Sequence, residues 1–201
     1  MYTPVMPARD PSAPHRKRYE RSNEARFVTC PCFGRHPLLR SERACEWLVT
    51  AIERARERHE FHLWAWVIMP EHFHLIVYQA PGASPLSLTL KTIKQSVVTN
   101  AIHWLEREGL EVPEVMRDRR PDGRVVTRFW LRGGGYDRNL WSAEEVWEKV
   151  GYVHSNPVER GLCERAENWV WSSARVYRGL EGVLSLDLKS LPEVPRGWDV
   201  G

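Results

Sequence analysis

The sequence predicts an α+β fold, a ferredoxin-like antiparallel sheet with helices packed on one face. Three observations carry that prediction. Short β-type runs and amphipathic helical runs follow one another in the order β-α-β-β-α-β. Two of the strands, "FHLWAWVIM" and "HFHLIVYQA", are separated only by Pro70 and Glu71, so a tight antiparallel hairpin is expected. Hydrophobic residues make up 42% of a 201-residue chain, enough to bury the core of one domain with extensions.

Taken in order, residues 1–23 hold many charges and four prolines, and read as a basic, disordered arm. "ARFVTCPC" is a short strand closed by Pro31 and the "FGRHP" turn. Ser41 caps the helix "ERACEWLVTAIERARERHE", in which Ala44, Leu48, Ile52 and Ala55 recur at helical spacing. After the hairpin and the "PGASP" loop comes a second amphipathic helix, "LSLTLKTIKQSVVTNAIHWLERE", ended by Gly109. "RPDGRVVTRFW" reads as a turn at Pro121–Gly123 followed by the last strand. Ser142 and Glu145 form a capping box for a third helix, which is expected to stop near Asn156 because Pro157 follows. The division expected is an arm over 1–23, a catalytic domain over 24–178 and a C-terminal tail over 179–201, with the tail a candidate lid.

The formal charge of +3 decides little, but its distribution is uneven. "HRKRYERSNEAR" carries five basic residues against two acids, including Arg16, Lys17 and Arg18. "RDRRPDGRVVTRFWLR" carries six arginines (Arg117, Arg119, Arg120, Arg124, Arg128 and Arg132) against two aspartates. Arginine beside aromatic residues suits a phosphate backbone with unstacked bases; the alternative for either run is an ordinary solvated face. No apolar run reaches the length of a membrane span, and the N-terminus lacks the apolar stretch of a signal peptide, so a cytoplasmic protein is expected. Cys30, Cys32, Cys45 and Cys163 follow no zinc-ribbon spacing and read as reduced, structural thiols.

The chemistry concentrates in "WVIMPEHFHLIVY". Alternation along a strand puts His72 and His74 on one face and Phe73, Leu75 and Val77 on the other. Two imidazoles on one rigid strand face make half of a metal site, or else a pair of structural histidines. In "GYVHSNPVERG", Tyr152 and Asn156 are four apart and share a helical face. The Asn156 amide oxygen could complete a two-imidazole site suited to Mg²⁺ or Mn²⁺ about as well as zinc, with Tyr152 one turn away as nucleophile. Tyr136, in the nearby "RGGGYDRN", is the competing nucleophile; Tyr152 is preferred because only it has a ligand-type residue one turn away. His154 points elsewhere and reads as structural. Neither an HxHxD pattern nor an H-x-E paired with CxxC is present, which argues against common metallohydrolases and zinc deaminases.

Together, "WAWVIMPEHFHLIV", "SLTLKTIKQSVV", "FWLRGGGYDRNLWSAEEVWEKVGYVHSNPVERGLC" and "ENWVWSSA" closely resemble the REP-associated tyrosine transposases, relatives of the single-tyrosine HUH transposases of insertion sequences. The resemblance runs from about Ala25 to Tyr177. It implies an HUH endonuclease fold, His72 and His74 as paired metal ligands, Asn156 as third ligand and Tyr152 as nucleophile. It further implies a divalent cofactor, Mg²⁺ or Mn²⁺, and a single-stranded DNA partner bearing hairpins of repeated extragenic palindromes. Cutting would leave a 5′-phosphotyrosine link and a free 3′-hydroxyl, held by the basic arm and the Arg-rich segment. The alternative is a catalytically silent DNA- or RNA-hairpin-binding protein of the same fold.

Overall fold

The computed structural model describes residues 23–133 and 135–198. The expected basic arm, with Arg16, Lys17 and Arg18, lies outside the described residues apart from Asn23. In chain order the elements are β1 (Glu24–Pro31), α1 (Glu42–His59), β2 (Phe61–Met69), β3 (His72–Gln79), α2 (Leu86–Arg107), β4 (Arg117–Arg119), β5 (Val125–Thr127), β6 (Tyr136–Leu140), α3 (Ala143–Glu159) and α4 (Ala174–Tyr177). β2, β3, β1 and β6 form, in that spatial order, one antiparallel sheet, while β4 and β5 pair only with each other. The α+β antiparallel architecture predicted from the sequence is therefore present.

Local signals explain the boundaries. Ser41 Oγ accepts the Ala44 N–H at 3.3 Å and starts α1. Ser142 Oγ accepts the Glu145 N–H at 3.2 Å, and the Glu145 carboxylate reaches back to the Trp141 N–H at 2.6 Å, one residue beyond the usual capping-box partner. The β2–β3 hairpin turns on Pro70 and Glu71, pairing Met69 with His72. Cys30, Cys32 and Cys45 are buried free thiols, and burial pushes Cys32 and Cys45 up to about 12, which leaves them unreactive packing groups.

The placement of the helices needs one correction. α1 and α2 do share a face of the sheet, packing Leu48, Ile52, Ile93 and Val97 against Val28, Phe73, Leu75 and Val77. α3 covers the opposite face, where Val146, Trp147, Val150 and Val153 meet Phe27, Ala65, Val67 and Ile76. The physical reason is visible in β3: Leu75, Ile76 and Val77 are all buried, so both faces of that strand need an apolar cover. Each such side chain gains about 1.5–3 kcal/mol on burial, too much to leave one face in water. A bulge between Leu63 and Ala65 places both Trp64 and Ala65 on the α3 face.

Three further expectations change. "RPDGRVVTRFW" forms part of the detached β4–β5 hairpin, and the fourth strand of the main sheet is β6, "YDRNL", which carries a single buried apolar residue, Leu140. α3 does not stop at Asn156 but continues through Pro157 to Glu159, because the proline ring lies in the buried stripe of the helix and its packing offsets the missing N–H. Residues 184–193 of the expected tail pack onto the domain instead of forming a lid. Asp187 exchanges hydrogen bonds with Leu63 along the β2 edge, Leu184 is buried in the main core, and Trp147 Nε1 donates to Pro192 and Glu193 carbonyls. Leu63 pairs with Val77, at the opposite end of β3 from His72, so this covering is remote from the histidines.

Candidate metal and tyrosine site

β3 and α3 bring the predicted residues together on the α3 face of the sheet. His72 and His74 are 7% and 3% exposed, and their Nε2 atoms approach to 2.9 Å. At that separation both nitrogens are within reach of a single ion. Of the other two ring nitrogens, one is hydrogen-bonded and one faces a carboxylate. His74 Nδ1 meets Thr29 Oγ1 at 2.9 Å, across the β1–β3 pairing. His72 Nδ1 lies 3.3 Å from Glu71 Oε1, an ion-pair distance at an angle too poor for a well-formed hydrogen bond. Burial, followed by the neighbouring His72, pushes His74 down to about 3, so its ring is neutral and able to donate a lone pair. The neighbouring His72, and after it Arg160, hold the Glu71 carboxyl down at about 2.

Tyr152 stands beside this pair. Its ring centroid is 5.6 Å from that of His74 and 5.8 Å from that of Phe27, and the side chain is open to solvent. Lys149 Nζ lies 5.4 Å from the Tyr152 ring centroid, one turn earlier on α3. Asn156, one turn later, is buried and donates its amide nitrogen to the Tyr152 carbonyl at 2.7 Å. That bond commits the nitrogen and leaves the amide oxygen as the end suited to a cation. Among the described residues no group of three or more His, Cys, Asp or Glu forms a metal cluster, so an ion at this pair would need a ligand of another type. Two Nε2 atoms 2.9 Å apart, a hydroxyl on His74 Nδ1, a carboxylate beside His72 Nδ1 and the Asn156 amide one turn from Tyr152 fit a divalent ion.

Tyr136 is also close: its ring is 6.5 Å from Phe27 at the start of β6. Tyr152 is packed against His74. His154 is turned the other way, with Nε2 2.9 Å from Ser173 Oγ and its ring against Tyr177.

In sequence, the chain is 24% identical over 132 residues to the REP-associated tyrosine transposase of Escherichia coli (strain K12), a stretch covering 65% of this chain and 66% of that protein. No family model matches the chain. A solved structure of a REP-associated tyrosine transposase bound to a REP hairpin superposes with a TM-score of 0.61 at 22% identity, covering 88% of this chain and 95% of the other. The chain has the REP-associated tyrosine transposase fold. The resemblance read from the sequence is borne out.

Within this transposase fold the C-terminal end of the Arg-rich segment meets the end of β1 that pairs with His72. Leu131 N–H donates to Pro31 O, and Pro31 is the β1 partner of His72. The arginines are not a bare cationic strip, however. Arg117 pairs with Glu111 and Glu114, Arg119 with Glu114, Arg124 with Asp122, and Arg128 with Asp118. Such surface pairs contribute about 0–1 kcal/mol each, so a phosphate can displace the carboxylates. Arg120 and Arg132 form no ion pair among the described residues. Sequence reasoning missed Thr29, Phe27 and Arg160. Nothing in "RFVTCP" marks Thr29 as a histidine partner, since the pairing exists only through the strand register.

His154 gives a pH prediction. Burial lowers its pKa from 6.5 to about 4. The folded state therefore binds this proton less readily than the unfolded chain, and the stability it contributes is full above about pH 6.5 and lost as pH falls towards 4. The loss is at most about 3 kcal/mol, reduced by the ring's partial exposure. Urea unfolding at pH 7 and pH 5 should show a shallower acid dependence in His154→Gln, which still hydrogen-bonds but does not titrate. Equal dependence in the two proteins would remove this assignment. His74 acts in the same direction in both.

Proposed function

We propose that the protein is a metal-dependent, single-stranded DNA endonuclease and strand transferase acting on hairpin-forming repeated palindromes through a 5′-phosphotyrosine intermediate. The observation that carries the reading is the Tyr152 ring, 5.6 Å from His74, whose Nε2 converges with that of His72. The fold-sharing structure bound to a REP hairpin supports hairpin DNA as the partner class. His72, His74 and the Asn156 amide oxygen would hold Mg²⁺ or Mn²⁺, and the bound ion would supply polarisation of the scissile phosphate.

The chain's own residues account for the rest. The Tyr152 oxygen forms a bond to phosphorus while the P–O3′ bond breaks, and the 3′-oxygen takes up a proton as the phenol gives one to solvent. No phosphodiester is hydrolysed, so the link remains available for rejoining. Phe27 and His74 confine the tyrosine ring from one side, and its exposed edge is where a DNA strand can approach. Arg117, Arg119, Arg120, Arg124, Arg128 and Arg132 would contact phosphates at the histidine end of the sheet, positioning the hairpin without reading its bases. Among the described residues no helix is long and apolar enough to cross a membrane, consistent with a DNA partner.

The test is incubation with labelled hairpin DNA and Mn²⁺ followed by a denaturing gel. A covalent protein–DNA band is expected, and it should vanish in His72→Ala, which removes half of the imidazole pair. DNA retained only in a native gel, over a panel of hairpins, would instead identify a binding protein without cleavage.

A further inference from the structure

The β2–β3 turn contains a carboxylate that the proposed reaction leaves without a role. Glu71 occupies a tight turn, a place where carboxylates ordinarily point into water, yet its side chain is only 12% exposed. Its Oε1 lies 3.3 Å from His72 Nδ1 and 2.6 Å from Arg160 Nη1. The backbone around it is fixed as well: Glu71 O accepts the Cys32 N–H at 2.8 Å, tying the turn to the end of β1. Arg160 is the C-cap of α3, the helix that carries Tyr152 and Asn156. One carboxylate oxygen therefore touches both the histidine hairpin and the end of the tyrosine helix.

A carboxylate beside the second nitrogen of a metal-binding imidazole fixes the ring's orientation and raises the basicity of the nitrogen that binds. Thr29 anchors His74 through a neutral hydroxyl, but it does so from within the sheet. Glu71 differs in having two partners on different elements. We propose that Glu71 and Arg160 are positioning residues: Glu71 aims His72 Nε2 at the shared cation site, and Arg160 uses the same carboxylate to hold the tyrosine helix in register with it. This rests on the metal-and-tyrosine reading above. A merely structural ion pair would alter melting slightly and leave cation binding unchanged.

The experiment is calorimetric titration of Mn²⁺ into the DNA-free full-length protein, comparing wild type, Glu71→Gln, Arg160→Met and the double variant, with melting temperatures alongside. Glu71→Gln should weaken Mn²⁺ binding by about tenfold or more. Arg160→Met should keep Mn²⁺ affinity within about twofold, yet slow single-turnover adduct formation on a hairpin at saturating Mn²⁺ by about tenfold. Added to Glu71→Gln, it should cost nothing further, because it acts through the missing carboxylate. Should Gln lower melting by more than a few degrees, Glu71→Asp, which keeps the charge but shortens the reach, provides the same comparison. Unchanged Mn²⁺ affinity in a folded Glu71 variant, or an undiminished Arg160→Met effect in the double variant, overturns the proposal while wild-type binding and cleavage stand. A wild type that neither binds Mn²⁺ nor forms the adduct overturns the underlying reading and this proposal together.

Discussion

Tyr152→Phe is expected to reduce the covalent protein–DNA adduct to background while hairpin retention on a native gel stays within about twofold. The variant keeps the ring that packs against Phe27 and His74 and removes only the oxygen that would bond to phosphorus. Because the side chain is 42% exposed, losing its hydroxyl should change stability by no more than about 0.5 kcal/mol. A loss of adduct in this variant would therefore not reflect unfolding. Tyr136→Phe, made in parallel, should leave the adduct in place. If the adduct persists in Tyr152→Phe and disappears in Tyr136→Phe, the nucleophile is the tyrosine of β6. Persistence in both variants would set aside a tyrosine link altogether.

The second large effect is expected at Gly135, which precedes β6. Its φ is +82°, and a Cβ built there would lie 2.0 Å from the Thr29 carbonyl oxygen. Thr29 is the β1 partner of Tyr136, and its hydroxyl is the anchor of His74 Nδ1. An alanine has to push β6 and β1 apart at that pair, and the displacement reaches the histidine through one side chain. Gly123 is a matched control, with the same φ of +82° and nothing within 4 Å of an added Cβ. Gly123→Ala carries only the left-handed backbone cost, roughly 1–2 kcal/mol. Gly135→Ala adds the overlap and should lose on the order of 3 kcal/mol or more in urea unfolding, together with weakened Mn²⁺ binding. Equal losses at the two glycines would mean that β6 can move away from β1 without consequence.

Much of this site was legible in the sequence. A histidine pair at i and i+2 in a strand must share a face, whatever the strand packs against, and His72 and His74 do. A tyrosine and an asparagine four apart on a helix lie one turn from each other, and the Asn156 amide does reach the Tyr152 backbone carbonyl. Caps at Ser41 and Ser142 and the Pro70–Glu71 hairpin are likewise local, set by side chains within a few residues of the backbone they satisfy. Local stereochemistry repeats with a fixed period, so spacing alone reveals it.

β6 was not legible, because an edge strand with one buried residue has no apolar alternation to read; it pairs through backbone groups that every residue carries. The course of α3 through Pro157 was hidden for a related reason, since the burial of the proline ring is a tertiary property that its local sequence does not record. The sequence by itself determined the elements, the shared face of the two histidines and the tyrosine's place on its helix. Only the tertiary structure decided that α3 covers the histidine face, and that Thr29, Glu71 and Arg160 anchor what the two elements bring together. Those contacts join residues 45 and 89 positions apart, and a distance of that kind is fixed by how two apolar faces find each other, which no local period records.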